Sequence, residues 1–175
     1  MLGSTIDGRY QVLRLLGEGG MGSVYEARHV GTGRRLALKT ITGEYAPSAS
    51  LIQRFEIEAK AAGAIESQHI AHVLDVGVDR ESGTPYLVME FLVGETLEQH
   101  LKRLRALPSE LSLRIAAQAC LGLGKAHEAG IVHRDVKPAN VFLAERDAGE
   151  LVAKLLDFGI AKVLQDDAAG RAPGV

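Results

Sequence analysis

The stretch GEGGMGSVYE at residues 17–26 constrains the fold more than any other part of this sequence. Gly17, Gly19 and Gly22 fit the pattern G-x-G-x-x-G, which serves two unrelated kinds of nucleotide site. In one kind the glycines open a helix after a strand, and in the other they bend a β-hairpin over the phosphates of ATP. The residues on either side of the stretch decide between the two.

The flanking residues favour the hairpin. Residues 10–16 and 23–30 show the alternation of apolar and polar residues that is typical of strands, although imperfectly. GTGRR at residues 31–35 is a turn signal, and residues 36–41 form a third candidate strand. The sequence therefore predicts three antiparallel strands with the glycine-rich loop between the first two.

A helix is expected next, over residues 49–64. Leu51, Phe55, Glu58 and Ala62 are spaced so that they share one face of such a helix. Glu58 is thus a carboxylate on an apolar stripe, and a buried carboxylate is costly unless it is paired. We expect its partner to be a cation from elsewhere in the fold.

The second half of the chain alternates strands, helices and one polar loop. The predicted elements are strands at residues 73–78 and 85–92, helices at 94–104 and 109–129, short strands on both sides of the loop 133–140, and a strand pair with a turn at 151–162. We expect Ser109 to cap the longer helix and Gly130 to end it. One face of that helix is expected to carry Leu113, Ala117, Cys120, Leu121 and Gly124, with Cys120 as a small core residue.

The composition is that of an ordinary globular chain. The 175 residues are 46% hydrophobic and 24% charged, with a net charge of −2 and therefore no basic excess to indicate nucleic acid as a partner. The single cysteine cannot form an internal disulfide, which favours a reducing cytoplasm. No apolar run approaches the roughly 18–20 residues of a membrane-spanning helix, and the N-terminus does not resemble a signal peptide.

The loop HRDVKPAN at residues 133–140 concentrates chemically active side chains. Asp135 and Asn140 are close enough in sequence for one loop to aim a carboxylate and an amide oxygen at the same region. A third oxygen donor, Asp157, lies between apolar residues in LLDFGI, where a charge should be held by a metal or by paired donors.

Taken together, these motifs resemble the N-terminal portion of the catalytic domain of eukaryotic-like (Hanks-type) serine/threonine protein kinases of bacteria. GEGGMGSV is similar to the glycine-rich loop of that family, LALK to its lysine strand, HRDVKPAN to its catalytic loop and DFG to its metal-binding motif. The resemblance implies an α+β, bilobal kinase-like fold. The β-rich N-lobe would be complete at residues 1–92, with a five-stranded antiparallel sheet and one helix, and a mainly helical C-lobe would be incomplete at 93–175.

The resemblance also implies the chemistry, which is transfer of the γ-phosphate of ATP to serine or threonine hydroxyls of proteins with Mg²⁺. Asp135 would accept the hydroxyl proton or orient the hydroxyl, and Lys137, which marks the serine/threonine class, would approach the γ-phosphate. Lys39, held by Glu58, would contact the α- and β-phosphates. The implied Mg²⁺ ligands are Asn140 and Asp157.

The nucleotide itself would be held by residues from the glycine-rich loop and the following strands. The adenine would lie against the link between the lobes, sandwiched by Val24 and Ala37, and Met89 would limit the depth of its pocket. The implied nucleotide-binding residues are Leu16, Gly17, Glu18, Gly19, Gly20, Met21, Gly22, Val24, Ala37, Lys39, Met89, Glu90, Leu92 and Phe142.

Some residues have plainer interpretations. We expect His133 to pack the catalytic loop and to bond backbone atoms. Arg134 has two interpretations, contact with a phosphate on the activation segment or an ordinary salt bridge. The spacing of His69 and His72 suggests a metal, but no cysteine or carboxylate cluster joins them, so we expect structural roles.

The resemblance covers about residues 10–162 and stops in what should be the activation segment. The A-P-E motif and the helices that complete the family's C-lobe are not among the 175 residues, and residues 159–175 contain no Ser, Thr or Tyr. The first hypothesis is a cytoplasmic protein kinase with ATP, a protein substrate and a second kinase chain as its partners. The alternatives are a truncated, inactive module that binds nucleotide or a partner, and a small-molecule phosphotransferase.

Overall fold

The computed structural model describes residues 1–19, 22–41, 49–146 and 149–158. These residues form two compact units. Within the described ranges, the first unit comprises residues 1–63 and 73–91, and the second comprises 64–72 and 92–158. The sequence placed residues 64–72 in the N-lobe, whereas the structure groups them with the second unit.

The first unit is built on a six-stranded antiparallel sheet with the strand order β1-β2-β3-β4-β6-β5. Its strands are β1 (Thr5–Ile6), β2 (Tyr10–Gly19), β3 (Gly22–His29), β4 (Arg35–Thr40), β5 (Val73–Val78) and β6 (Pro85–Glu90). The prediction of five strands for this sheet was wrong, because the described residues form six. The additional strand, β1, has only two residues, too few for an alternating pattern to reveal it.

One helix, α1 (Ala49–Gly63), belongs to the first unit and packs against β5. Phe55, Ala59 and Ala62 are buried on its inner face, and Glu58 is half-buried on that same side. A separate hydrophobic cluster fills the core of the sheet, with the members Ile6, Tyr10, Val12, Ala27, Leu36, Leu38, Tyr86 and Val88. The helix was predicted within one residue of its observed end.

The second unit combines two helices with a three-stranded antiparallel sheet in the order β7-β8-β9. Its elements are β7 (Gly94–Thr96), α2 (Leu97–Leu104), α3 (Ser109–Glu128), a 3₁₀ turn (Pro138–Asn140), β8 (Val141–Glu145) and β9 (Leu151–Leu155). The predicted strand at residues 131–132 is wrong, because the described backbone there is irregular. From residue 159 onward, the predicted strand pair lies outside the described residues.

The helix predicted at residues 94–104 was wrong over its first three residues. Gly94–Thr96 is a strand that pairs with β8, and Gly94 has a φ of 135° that suits glycine rather than a helix. Helix α2 starts only after Thr96, whose side chain accepts a bond from the backbone of Gln99 while the Gln99 side chain bonds back. This capping box satisfies two of the backbone N–H groups at the start of the helix.

Helix α3 was placed correctly in the chain, but its buried face was predicted wrongly. Ile115, Gly122 and Ala126 are its buried residues, whereas Leu113 is 72% exposed and Leu121 is 61% exposed. Cys120 is exposed and is not the predicted core residue. Gly122 explains the difference, because a Cβ there would lie 2.7 Å from the carbonyl oxygen of His69. Close approach of the backbones, and not side-chain hydrophobicity, selects the face.

The two ends of α3 follow different rules. The predicted cap, Ser109, is already helical; Pro108 occupies the capping position without a side-chain bond, and its carbonyl accepts from Ser112 N. Gly130 ends the helix as predicted, with a φ of 74°. Its N–H bonds His127 O and the next N–H, of Ile131, bonds Ala126 O, which is the Schellman arrangement.

Among the helices of the described residues, none is long and apolar enough to cross a membrane.

Candidate functional site

The glycine-rich stretch forms a β-hairpin, as the flanking residues predicted. In the β2–β3 register Gly17 lies opposite Val24, Glu18 opposite Ser23 and Gly19 opposite Gly22. Gly20 and Met21, both assigned to the nucleotide site from the sequence, lie outside the described residues. The hairpin rules out the alternative in which these glycines open a helix.

The glycines of this hairpin are required for two different reasons. Gly22 has a φ of 128°, and a Cβ there would lie 1.9 Å from the carbonyl oxygen of Thr40, so the fold itself demands glycine. A Cβ on Gly17 or Gly19 would meet no atom of the described residues within 4 Å. Because packing does not require glycine at these two positions, the open space beside their backbone fits the approach of a ligand such as a phosphate.

Several residues assigned to the nucleotide share one face of the first sheet. Val24 lies directly opposite Lys39, and Ala37 lies directly opposite Met89. Ala37 and Lys39 are two residues apart on β4, so all four side chains emerge on the same side. Lys39 is buried at 7% exposure, as a lysine in a closed site would be. The predicted ion pair between Lys39 and Glu58 stays a prediction.

The other predicted nucleotide residues are more dispersed. Leu16 and Glu18 are exposed near the end of β2, and Glu90 is half-buried at the end of β6. Leu92 and Phe142 belong to the second unit, where Phe142 lies on β8 opposite Thr96 and Lys154.

A charged cluster that sequence reasoning missed lies near this face. Glu26 is 6% exposed and accepts hydrogen bonds from Arg14 Nε at 2.7 Å and Arg35 Nε at 2.8 Å. Burial acts to raise the pKa of the Glu26 carboxyl, but the bonds from Arg35 and Arg14 hold that pKa below its usual range. The register shift between Val12 and Arg14 decides which side chains meet, and the sequence gives no sign of that bulge.

In the second unit, the loop HRDVKPAN brings three predicted site residues together. Lys137 Nζ lies 2.8 Å from Asp135 Oδ2, and Asn140 Nδ2 donates to the same oxygen at 3.0 Å and to Asp135 O at 2.8 Å. Pro138 makes this compact arrangement possible by starting the 3₁₀ turn that brings Asn140 back toward Asp135. The sequence prediction that one loop aims the carboxylate and the amide at one region is therefore supported by contact.

His133 acts as a structural link, as predicted. It is 1% exposed, its Nε2–H donates to Leu156 O at 2.8 Å, and its Nδ1 accepts from Asp135 N at 3.3 Å. Its ring also packs 4.8 Å from that of Phe158. Burial lowers the pKa of the imidazole below its ordinary value, although its backbone bonds act in the opposite direction. A neutral His133 thus joins the loop at residues 133–140 to the residues before Asp157.

Two residues in this region have an unfavourable backbone conformation. Arg134 has a φ of 61° and Asp157 a φ of 51°, and neither is glycine. Positive φ at such residues persists only where the surroundings impose it, and it is concentrated at functional sites. Both residues adjoin atoms fixed by His133, which explains how the fold maintains the strain.

The same region has the oxygen donors that a Mg²⁺ ion requires. The amide nitrogen of Asn140 is used by Asp135, which leaves its Oδ1 as the coordinating end. Leu156 N donates to Asn140 O at 2.9 Å, so the residue before Asp157 is tied to Asn140. One carboxylate and one amide oxygen suit Mg²⁺, which takes few protein ligands and completes its shell with phosphates and water. The residues present therefore fit the ion.

His69 is one of the two histidines whose spacing suggested a metal site, and its ring contacts protein atoms. It is buried, with Nδ1 3.1 Å from Ala153 O and Nε2 3.2 Å from Gln68 Nε2. Its carbonyl accepts from Leu155 N at 2.8 Å. The residue thus holds the strand that leads to Asp157.

Comparison with known proteins extends these observations. The family described as "Protein kinase domain" matches residues 10–172. The chain is 42% identical over 166 residues to the serine/threonine-protein kinase pkn2 of Myxococcus xanthus, covering 94% of this chain and 19% of the relative. It is 41% identical over 166 residues to the serine/threonine-protein kinase PknA of Mycobacterium tuberculosis, covering 93% of this chain and 38% of the relative.

Solved structures agree with the sequence relatives. The crystal structure of the PknI kinase domain of Mycobacterium tuberculosis has a TM-score of 0.79 and 34% identity, covering 99% of this chain and 70% of that one. The predicted α+β kinase fold is therefore confirmed. The chain spans between 19% and 38% of the length of the curated relatives it matches.

Proposed function

The chain belongs to the protein kinase domain family, and from that premise we propose that its protein is a Mg²⁺-dependent serine/threonine protein kinase. The substrates are ATP and a protein hydroxyl. The single observation that best supports this activity is the contact of Asp135 with both Lys137 and Asn140 inside one loop.

Asp135 is proposed to act on the acceptor hydroxyl. The hydroxyl oxygen attacks the γ-phosphorus, the bond from that phosphorus to the β–γ bridging oxygen breaks, and ADP leaves with the bridging oxygen. The hydroxyl proton passes to the Asp135 carboxylate. Asn140 and Lys137 hold this carboxylate in place before the reaction, so its orientation costs little when the substrate arrives.

Two lysines, Lys137 and Lys39, are each proposed to neutralise phosphate charge. Lys137 lies beside the carboxylate that receives the proton, where its ammonium group can also approach the γ-phosphate. Lys39 extends from the sheet face that carries Val24, Ala37 and Met89, and it would contact the α- and β-phosphates with Glu58 as its partner. Fixed cations of this kind stabilise the charge that develops during phosphoryl transfer.

The metal site is proposed at Asn140 and Asp157. A bound Mg²⁺ would supply positive charge to the β- and γ-phosphate oxygens. Asn140 is held by Asp135 and by Leu156 N, and Asp157 has a backbone conformation that the surrounding contacts impose. The Asn140 side chain and the backbone at Asp157 are thus fixed before any ligand binds.

The setting proposed for this activity is signal transduction in the cytoplasm. The exposed free thiol of Cys120 is compatible with a reducing compartment. Protein substrates and a second kinase chain are the proposed partners.

The test is phosphotransfer from ATP labelled in its γ-phosphate to a mixture of proteins, followed by identification of the labelled amino acid. We expect Mg²⁺-dependent label on serine and threonine, and a loss of about a hundred- to a thousandfold in kcat for Lys137→Met. Label on a sugar or another small molecule would show a different phosphotransferase. ATP binding without transfer in any condition would show a nonenzymatic module.

A further inference from the structure

We propose that Arg35 is a positioning residue for the adenine end of the nucleotide site. Through its contact with Phe91 it fixes the backbone of residues 90–92, where the adenine is proposed to bond. This inference rests on the proposed function and adds to it a residue that the kinase motifs do not contain.

The guanidinium group of Arg35 is held from two directions. Its carbon Cζ lies 4.1 Å from the centroid of the Phe91 ring, the geometry of a cation–π contact. Its Nε donates to Glu26 Oε1 at 2.8 Å, while Arg14 Nε donates to the other oxygen, Oε2, at 2.7 Å. The buried carboxylate of Glu26 thus holds the guanidinium group from one side while its Cζ lies over the Phe91 ring.

The position of this contact in the sheet explains its effect. The β4–β6 ladder pairs Ala37 with Met89 and ends with Leu36 opposite Glu90. Continued by one step, the same register sets Arg35 opposite Phe91, but β6 has ended there. The contact between the Arg35 and Phe91 side chains therefore connects the chain to β4 one residue beyond the last backbone pair of the ladder.

The contact between Arg35 and Phe91 should affect the binding of the adenine base and not the binding of the phosphates. Backbone groups near Glu90 and Leu92 can bond the adenine edge only when they are already in place, because ordering them on binding would reduce affinity. Without Arg35, the Phe91 ring loses its partner and the backbone beside it gains freedom. We expect the phosphate-binding glycines of the β2–β3 hairpin to keep their positions, because Arg14 still donates to Glu26 in this variant and the β2–β3 ladder does not include Arg35.

The experiment compares Arg35→Ala with Arg34→Ala in the full protein. Both variants remove one arginine at the start of β4, but Arg34 is exposed and, within the described residues, its side chain makes no hydrogen bond, ion pair or ring contact with Phe91 or Glu26. We expect Arg35→Ala to raise the KM and the Kd for ATP about three- to tenfold with kcat unchanged. The Kd for inorganic tripolyphosphate should be the same in both variants and in the wild type.

A double-mutant cycle with Phe91→Leu makes the test specific. If the stack carries the effect, Phe91→Leu alone, Arg35→Ala alone and the double variant should weaken ATP binding to about the same extent. Additive losses, an equal effect of Arg34→Ala, or weakened tripolyphosphate binding in Arg35→Ala would overturn the inference while the proposed function stands. A wild-type protein that binds no ATP would overturn both.

Discussion

At the scale of single residues, the glycines of the β2–β3 hairpin separate folding from function. Gly22→Ala places a side chain against Thr40 O at a φ of 128°, so we predict a loss of about 1–3 kcal/mol in the free energy of unfolding. The side chain added by Gly19→Ala meets no atom within 4 Å in the described part of the chain, so stability should change little while the affinity for ATP falls. Denaturant unfolding and ATP titration of both variants measure the two quantities.

The outcome that contradicts this separation is specific. If both substitutions lowered the free energy of unfolding equally, the side chain added at Gly19 would have to clash with the protein, contrary to the open space in the structure. Unchanged ATP affinity in Gly19→Ala would mean that no ligand uses it. Gly33→Ala is the matched control: Gly33 has a φ of 69° and no described neighbour within 4 Å, so the substitution measures the cost of the backbone conformation alone.

His133 makes a prediction about pH. Its folded-state pKa lies below the unfolded value of 6.5 because the ring is buried. Above pH 6.5 both states are neutral and the contribution is fully present; as the pH falls, the unfolded chain binds a proton first, and the stability contribution is lost through the folded-state pKa. We predict that the free energy of unfolding falls between about pH 7 and pH 5 and that His133→Phe flattens this slope.

The slope, and not the absolute stability, is the quantity to compare, since His133→Phe also removes two hydrogen bonds. His127→Phe is the control, because it removes an exposed histidine of the same unit. The lowered carboxyl pKa of Glu26 affects a separate range, below about its ordinary value of 4.5. An unchanged slope in His133→Phe would contradict the burial argument.

At the scale of elements, the start of α2 depends on the capping box of Thr96 and Gln99. Thr96→Ala removes the acceptor for Gln99 N, which lies 3.2 Å from the hydroxyl, and should lower the free energy of unfolding by about 1 kcal/mol. Thr96→Ser keeps the acceptor and should remain close to the wild type. Thermal unfolding of the two variants decides the matter, and an equal loss in both would show that the hydroxyl does not cap the helix.

The helices and strands also show which structural features a local sequence pattern can predict. Periodicity and turn residues predicted β5 and α1 closely, because alternation and apolar spacing are local properties of the chain. They failed at β7, a three-residue strand that exists through its pairing with β8. They also failed for the face of α3, which Gly122 fixes by contact with the distant residue His69. Both errors depend on tertiary contacts that no local pattern contains.

At the scale of the whole molecule, the sequence predicted that side chains of one polar loop lie together, but not the network of contacts around Glu26. Asp135, Lys137 and Asn140 were identified from one short motif, and the structure brings them into contact. Glu26 and Arg35 were not identified, since their meeting requires the register of β2, β3 and β4. Motifs report chemistry that recurs across a family, whereas the contacts that orient them depend on how strands pair in one chain.

The most direct test of the central claim is the separation of ATP binding from phosphate transfer in Asp135→Asn. The substitution keeps the shape of the side chain and removes its ability to accept the hydroxyl proton. We predict a fall of at least about a hundredfold in kcat, with the Kd for Mg·ATP within about twofold of the wild type. Transfer at the wild-type rate in Asp135→Asn would contradict the assignment of this loop as the phosphoryl-transfer centre.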